Sequence, residues 1–408
     1  MRIIPFGIIP CGIILKGIIN NKFIKMNNSP FIFGNTVSSH SFTNREIELA
    51  KLKSNLLNGI NTIIISPRRW GKSSLVEKAI IEIAQKEKNY RTILIDLFSI
   101  KSEEEFLEIL AVEVIKASSS KWEDWVVSGK DFFKNLIPQI NIGIDPTTDF
   151  SLSFDWKELK NNSLEILNLA ETVAEKKGIK IIIFLDEFQN LSSFSEFEFF
   201  EKKMRSVWQR QKQVSYCLFG SKRHMMSDIF NNPSKPFYRF GDIMFLPKIE
   251  TKRWVEFICK SFLDTEKMIN ETNAELIAKT MKNHSWYVQQ LSHYTWNLTK
   301  TEAGIAEINK ALTELIYANS PLYQKEIENL SGSQLNLLKA VIMQETQFTS
   351  TAVMQKYHLG TPRNVVKNKM LLINKDIIQL IDGKMELVDP AFELWFKKQF
   401  NNKSYLQG

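Results

Sequence analysis

Cysteine and histidine are scarce in this chain of 408 residues. The three cysteines, Cys11, Cys217 and Cys259, are too few and too scattered for a disulfide framework. The five histidines show no metal-ligand spacing, so we expect no zinc site. A chain without a disulfide framework is typical of a reducing compartment, and we expect a cytoplasmic protein.

Long apolar runs are also missing. The uncharged, isoleucine-rich run Ile3–Leu15 is too short to span a bilayer, and its two prolines do not favour a signal peptide. We therefore expect no membrane partner. Residues 1–25 carry basic groups but no acid. Our preferred hypothesis is that translation starts at Met26 and that residues 1–25 are upstream sequence or a leader.

The composition is that of a globular protein. Apolar residues make up 44% of the chain and charged residues 24%, and the length predicts two to three domains. The net charge of +8 is uneven, because residues 331–408 carry ten Lys/Arg against six Asp/Glu. This local excess fits an anionic partner for the C-terminal region, although solubility explains it equally well.

The most informative segment is a basic loop between two patterned stretches. An apolar run, Ile60–Ile65, precedes the loop, and a helical pattern follows Gly71-Lys72-Ser73. In such a strand–loop–helix unit, backbone N–H groups and the helix N-terminus cradle phosphates, Lys72 reaches the β- and γ-phosphates, and Ser73 offers its hydroxyl to Mg²⁺. We therefore predict ATP and Mg²⁺ as cofactors. The candidate nucleotide-binding residues of the loop are Ser66, which stands where the motif has its first glycine, and Pro67, Arg68, Arg69, Trp70, Gly71, Lys72, Ser73 and Ser74.

A second motif complements the loop. The apolar run Ile181–Leu185 is typical of a buried parallel strand, and two acids, Asp186 and Glu187, follow it directly. Asp186 is the candidate ligand of magnesium, together with Ser73. Glu187 is the candidate general base for an attacking water, with Lys72 as its catalytic partner. The alternative is a strand that ends in a solvated acidic turn.

Alternating strand and helix patterns predict an α/β fold, namely a P-loop NTPase parallel sheet with helices on both faces. We assign residues 26–249 to this domain. A hairpin inserted at about 118–158 interrupts it. Four helical patterns over 250–325 predict a small helical lid domain, whose last helix is expected to end before Pro321.

Residues 331–400 predict a winged helix-turn-helix. Three helical patterns precede a hairpin with an Asp382-Gly383 turn. The third helix is expected to start at Thr361-Pro362 and to have a core side. The expected core side consists of Val366, Met370 and Ile373. Its candidate DNA contacts are Arg363, Asn364, Lys367 and Lys369.

Several segments resemble, in consistent order from about residue 31 to 398, the archaeal-type P-loop ATPase family, in the AAA-related STAND group. The segments begin with Phe42-Thr-Asn-Arg-Glu46, the phosphate loop, Phe184-Leu-Asp-Glu-Phe-Gln189 and Phe219-Gly-Ser221, and they end with Pro236-Phe-Tyr-Arg239 and Asp389-Pro-Ala-Phe-Glu-Leu-Trp395. Where the family has a Gly-x-Pro-like lid signature, this chain has His284-Ser285-Trp286.

The resemblance implies further site residues. Arg45 would border the adenine. Ser221 would be a polar sensor of the γ-phosphate or water, or otherwise a turn serine. Arg239 would sense phosphate or act across a subunit interface as an arginine finger, or otherwise form a surface salt bridge. Arg68 and Arg69 would touch phosphate oxygens, or otherwise be solvated loop charges.

Three functions remain open from the sequence. The first is an ATP-binding switch in which Mg-dependent ATP hydrolysis is coupled to rearrangement of the lid and winged helix. The second is a DNA-binding regulator or genome-defence component that reads DNA with the winged helix. The third is a nucleotide-binding scaffold without turnover. A protein partner or a homo-oligomer is compatible with each.

Overall fold

The computed structural model describes residues 28–34, 45–118, 141–143, 151–153, 163–381 and 383–401. Residues 1–25, the insert outside its two short strands, and the turn residue Asp382 therefore lie outside the described residues, together with the hypotheses made for them.

A five-stranded sheet forms the centre of the first domain. The described strands of the chain are β1 (Thr62–Ile65), β2 (Tyr90–Asp96), β3 (Asn141–Gly143), β4 (Ser151–Ser153), β5 (Lys180–Asp186), β6 (Val214–Gly220), β7 (Asp242–Phe245), β8 (Met268–Ile269), β9 (Glu302–Ala303), β10 (Ile378–Ile381) and β11 (Lys384–Leu387). The order in the central sheet is β2-β5-β6-β1-β7, and every pair is parallel. Strand β6 therefore separates the strand before the phosphate loop from the strand before the acids.

Helices cover both faces of this sheet. They are α1 (Glu46–Leu57), α2 (Lys72–Lys86), α3 (Glu103–Ser118), α4 (Ser163–Leu167), α5 (Leu169–Lys177), α6 (Phe197–Trp208) and α7 (Arg223–Asn231). Helices α1 and α2 pack on one face, and α3 to α7 pack on the other. Every residue of β1 and β6 is buried, as expected for strands covered on both sides. The predicted fold class is confirmed.

Within the insert, β3 and β4 form an antiparallel pair in which Ile142 lies opposite Leu152.

The lid consists of α8 (Thr251–Leu263), α9 (Glu271–Thr280), α10 (Ser285–Leu298) and α11 (Ile305–Glu328). The expectation that its last helix ends before Pro321 is wrong, because α11 continues through this proline. Pro321 cannot donate a backbone hydrogen bond. The helix nevertheless continues, because Tyr323 beyond the proline packs against Phe392 and Trp395, with ring centroids 5.2 and 5.8 Å away.

The C-terminal domain contains α12 (Gly332–Ile342), α13 (Thr351–Lys356), α14 (Pro362–Asn374), the hairpin β10–β11 and α15 (Pro390–Asn401). It shares one continuous apolar core with the lid. As predicted, Thr361 caps α14, because its hydroxyl accepts a hydrogen bond from the Asn364 N–H, and Pro362 is the first helical residue.

The predicted core side of α14 is wrong for Val366 and Met370, whereas Ile373 is partly buried and packs against the core. The helix buries Val365, Asn368 and Leu372, whereas Val366 and Met370 are exposed. The apolar pattern of the segment fits two helical phases that differ by about one residue. The contacts of α14 with α12 and β10 select the phase that the sequence did not favour.

Candidate nucleotide site

The phosphate loop lies between β1 and α2 in a conformation that needs glycine. Gly71 has φ +86° and directly precedes α2, and L-residues with a side chain rarely adopt this φ. Residues 71–74 line a cavity, and the start of α2 borders it, which is the arrangement in which the N–H groups of a helix N-terminus can bind an anion. Ser66 lies behind the loop, fully buried, and its hydroxyl donates to the Pro67 carbonyl at 3.1 Å. It supports the loop rather than lining the cavity.

Asp186, the last residue of β5, and Glu187, which follows it, face the phosphate loop. Lys72 Nζ lies 3.2 Å from Asp186 Oδ1 and 3.7 Å from Glu187 Oε1. Ser73 Oγ lies 3.5 Å from Asp186 Oδ2. A lysine, a hydroxyl and two carboxylates therefore converge at the C-terminal edge of a parallel sheet, which is where open α/β sheets bind ligands.

The two neighbouring carboxyls have opposite pKa shifts. Burial raises the pKa of Asp186, and the Lys72 ammonium opposes this rise only in part. Burial also acts to raise the pKa of Glu187, but Lys72 and hydrogen bonds from Gln189 and Ser221 hold it below its ordinary value. Glu187 is therefore ionised at neutral pH, as a hydrogen-bond acceptor for water must be.

Ser221 and Arg68 connect to the acids. Ser221 follows β6 and donates to Glu187 Oε2 from its hydroxyl at 2.9 Å and from its backbone N–H at 3.4 Å. Arg68 Nε donates to Ser221 Oγ at 3.3 Å. Ser221 is buried and lines the cavity beside the loop. This position is compatible with a sensor.

Arg45 supports the loop from the side. Its guanidinium donates to the Trp70 carbonyl at 3.2 Å and pairs with Glu48 at 2.9 Å. Arg45 is buried, but it also lines the cavity. Its position fits a residue that borders a bound base.

The cavity itself has a volume of about 470 Å³. Its remaining walls come from segments that the sequence did not identify as part of a site. They are Ile32, Phe33, Gly34, Ile249, Trp254, Ser285, Trp286 and Gln289. The indole N–H of Trp254 and the side-chain carbonyl of Gln289 are buried without a hydrogen-bond partner in the described part of the chain.

Trp286 connects the lid to the loop and to the N-terminal segment. The Cζ atom of Arg69 lies 4.5 Å from the Trp286 ring centroid, and the Phe33 ring lies 6.0 Å from it. Trp286 stands where the related family has its lid signature. That departure was the signal in the sequence that could have identified it.

Arg239 lies apart from this site. It is exposed, has φ +53°, and its Cζ atom lies 5.2 Å from the Tyr238 ring centroid. It does not line the cavity within this chain.

The candidate DNA contacts lie on α14 of the winged helix. Arg363, Asn364 and Lys367 are exposed, whereas Lys369 is only partly exposed.

Magnesium fits the donors that are present. The ion commonly takes one or two protein oxygen ligands and fills its other positions with water and phosphate, and Ser73 and Asp186 supply such oxygens. Among the described residues, no group of three or more His, Cys, Asp and Glu could hold a metal ion. No described helix is long and apolar enough to cross a membrane.

Comparisons with known proteins agree with this architecture. A family profile described as a probable winged helix domain matches residues 321–398. A Walker-type ATPase of Pyrococcus abyssi is similar in structure, with a TM-score of 0.63 and 17% identity over 90% of this chain and 99% of that chain. The ORC2 protein of Aeropyrum pernix, in ADPNP and ADP complexes, has a TM-score of 0.53 and 14% identity over 90% and 93% of the two chains. No curated protein matches the sequence.

The structural similarity to these two proteins establishes the fold. The chain has the fold of archaeal-type P-loop ATPases with a C-terminal winged helix, and the resemblance seen in the sequence is confirmed at that level.

Proposed function

We propose that the protein is a Mg²⁺-dependent ATPase that acts as a nucleotide-dependent switch. The observation that carries this proposal is the convergence of Lys72, Ser73, Asp186 and Glu187 at one cavity. Such a set can bind a triphosphate and orient a water. The cavity volume of about 470 Å³ lies within the range of about 300–1,000 Å³ for small-molecule sites.

The residues have distinct roles in the proposed reaction. Lys72 and the N–H groups at the start of α2 bind the phosphates, and Ser73 and Asp186 would hold Mg²⁺, which neutralises phosphate charge when bound. Glu187 accepts a hydrogen bond from a water and orients it in line with the bond between the β- and γ-phosphates. The water oxygen bonds to the γ-phosphorus and its proton passes to Glu187, while the bond from the γ-phosphorus to the oxygen shared with the β-phosphate breaks. ADP and phosphate then leave, and Glu187 releases the proton to solvent.

The test compares two variants with the wild type. By calorimetry, Lys72→Ala should abolish detectable ATP binding, whereas Glu187→Gln should bind ATP normally and lose hydrolysis. Lys78→Ala is a matched control, because Lys78 lies about 1.7 turns further along α2 and pairs with Glu82 at 3.9 Å. Equal ATP affinity for the wild type and Lys72→Ala would refute the proposal. Binding without turnover by the wild type would favour the scaffold function instead.

The switch is supported by contacts between the ATPase domain and the winged helix. Arg223 donates to the Leu380 carbonyl at 3.4 Å, and Lys248 pairs with Glu386 at 3.2 Å. Arg223 belongs to α7, and Lys248 lies just before the lid helix α8. Both residues contact the β10–β11 hairpin of the winged helix. A change in the nucleotide site can therefore reach the winged helix directly.

A second candidate function is DNA binding by the winged helix. The exposed Arg363, Asn364 and Lys367 on α14 favour it, since basic side chains contact phosphates and an asparagine can read a base edge. The exposed apolar residues Val366 and Met370 on the same helix are compatible with a protein partner instead. Binding assays with DNA decide between the two.

A further inference from the structure

Gln189 is a buried residue of the acidic motif that no role described so far uses. It lies in a 3₁₀ helix, Phe188–Ser193, immediately after Glu187. The side chain is completely buried, and its amide nitrogen Nε2 donates to Glu187 Oε2. Burial of a polar side chain is costly unless its hydrogen bonds are made, so this position calls for an explanation.

The orientation of the Gln189 amide follows from chemistry. An ionised carboxylate only accepts hydrogen bonds, so the NH₂ group must face Glu187 and the carbonyl oxygen must face away. That oxygen points towards Gly220 and has no hydrogen-bond partner among the residues that the structure describes. The Gln189 side chain therefore makes a hydrogen bond to Glu187 through Nε2 and leaves its carbonyl oxygen Oε1 without one.

Gly220 makes room for this amide. A Cβ atom at Gly220 would lie 1.8 Å from Gln189 Oε1, so the Gln189 amide could not keep its present position beside a larger residue. The residue after it, Ser221, donates twice to the same oxygen of Glu187. The end of β6 thus provides space for Gln189 and two hydrogen bonds for Glu187.

Because of these contacts, the two carboxylate oxygens of Glu187 have different partners. Oε2 receives hydrogen bonds from Gln189 and Ser221. Oε1 lies 3.7 Å from Lys72 Nζ and receives none of these bonds. Glu187 also has φ +51°, so its backbone leaves the extended conformation of β5.

We propose that Gln189 is a positioning residue that anchors Glu187 Oε2, so that Oε1 is the oxygen presented to the attacking water. This inference rests on the proposed ATPase function. Without the anchor, Glu187 can turn towards Lys72 and form a closer ion pair. In that ion pair, Glu187 would no longer accept a hydrogen bond from the water, and Lys72 would no longer bind the γ-phosphate.

The test uses Gln189→Met, which keeps the approximate volume and removes both the donor and the unpaired carbonyl. ATP affinity should stay within about twofold of the wild type, whereas kcat should fall about tenfold, a part of the effect of a general base. Gln189→Leu serves as a second variant if the first does not fold.

Two further variants separate positioning from structure. In a Glu187→Gln background, Gln189→Met should not slow the residual hydrolysis measured in a single turnover any further, because the residue that it acts through is gone. Gln211→Met is the matched control: Gln211 bonds to the Leu167 carbonyl at 3.1 Å and to the Tyr216 hydroxyl at 2.7 Å, far from the acids. It should leave both kcat and ATP affinity unchanged.

The outcomes are distinct. An unchanged kcat in folded Gln189→Met, beside an active wild type, overturns the role of Gln189 alone. An additive loss in the Glu187→Gln background also overturns it. A wild type that binds ATP but does not hydrolyse it refutes the proposed ATPase activity, and the inference with it.

Discussion

The guanidinium of Arg68 lies 3.8 Å from the carboxylate of Asp376. Arg68 belongs to the phosphate loop, and Asp376 lies between α14 and β10 in the winged helix. The same guanidinium donates to Ser221, which donates to Glu187. One series of polar contacts therefore connects the winged helix to the candidate general base.

This series predicts an effect of Asp376→Asn on nucleotide binding. In the wild type, Asp376 attracts the guanidinium that would otherwise be available to phosphate oxygens. Its neutralisation should tighten ATP binding by about two- to fivefold, since a partly exposed ion pair contributes about 1 kcal/mol or less. Calorimetry with ATP and Mg²⁺ measures the change.

The effect must depend on Arg68. In an Arg68→Ala background, Asp376→Asn should change ATP affinity no further. Glu345→Gln is the control, because it removes a different winged-helix ion pair, to Lys356 at 2.8 Å. A gain in affinity that persists without Arg68 would contradict this explanation.

Ser73→Ala should weaken the magnesium-dependent part of ATP binding. The substitution removes one of the two protein oxygens proposed for the ion, so Mg²⁺ affinity should fall by about tenfold or more. ATP affinity in Mg²⁺ should then approach its value in EDTA. Ser206→Ala, which removes only a surface hydroxyl bonded to the Lys203 carbonyl at 2.8 Å, should retain the full difference. If Mg²⁺ raises the ATP affinity of Ser73→Ala as much as that of the wild type, the Ser73 hydroxyl is not a ligand of the ion.

The sequence predicted the parts of the site that depend on neighbouring residues. The run before Ser66 and the run before Asp186 are local patterns, and parallel strands bring their ends to one edge of the sheet. The phase of α14 and the continuation of α11 through Pro321 were not predictable in this way, because packing between distant elements decides both. The aromatic wall also escaped prediction: Phe33 and Trp286 contact each other although about 250 residues separate them.

Trp286→Ala should weaken ATP binding by opening this wall. The substitution removes the cation–π contact with Arg69 and the ring contact with Phe33. The loss should be about tenfold in ATP affinity, since such contacts contribute on the order of 1 kcal/mol each. Trp286→Phe keeps an aromatic ring and should retain most of the affinity. Equal affinity of Trp286→Ala and the wild type would show that the wall does not contact the nucleotide.

DNA binding by α14 predicts a steep dependence on salt. Neutralised phosphates release counterions, so affinity should fall as salt rises, and Arg363→Ala and Lys367→Ala should each reduce the slope by about 1. Fluorescence anisotropy with a labelled duplex measures it. Lys252→Ala is the control, a lysine on α8 outside the winged helix. No binding at about 50 mM salt would contradict DNA binding by α14.

Glu201 predicts a pH dependence of stability that is separate from the nucleotide site. It lies in α6, completely buried, and neither carboxylate oxygen has a well-formed hydrogen bond to another described residue. Burial raises the pKa of Glu201 to about 7, while Lys235 and the Phe237 N–H oppose the rise. The folded state therefore holds a proton that the unfolded state has already released above its ordinary pKa of 4.5.

Because unfolding releases this proton, the contribution of Glu201 to stability falls as pH rises from 4.5 through about 7. Glu201→Gln removes the titration and keeps the size of the side chain. Relative to the wild type, its free energy of unfolding should rise by about 3 kcal/mol at pH 8, and the gain should shrink towards pH 4.5. Urea denaturation across this range measures the difference. Glu165→Gln, at an exposed position of α4, should give parallel curves for variant and wild type. A gain from Glu201→Gln that does not change with pH would mean that the carboxyl ionises normally inside the folded protein.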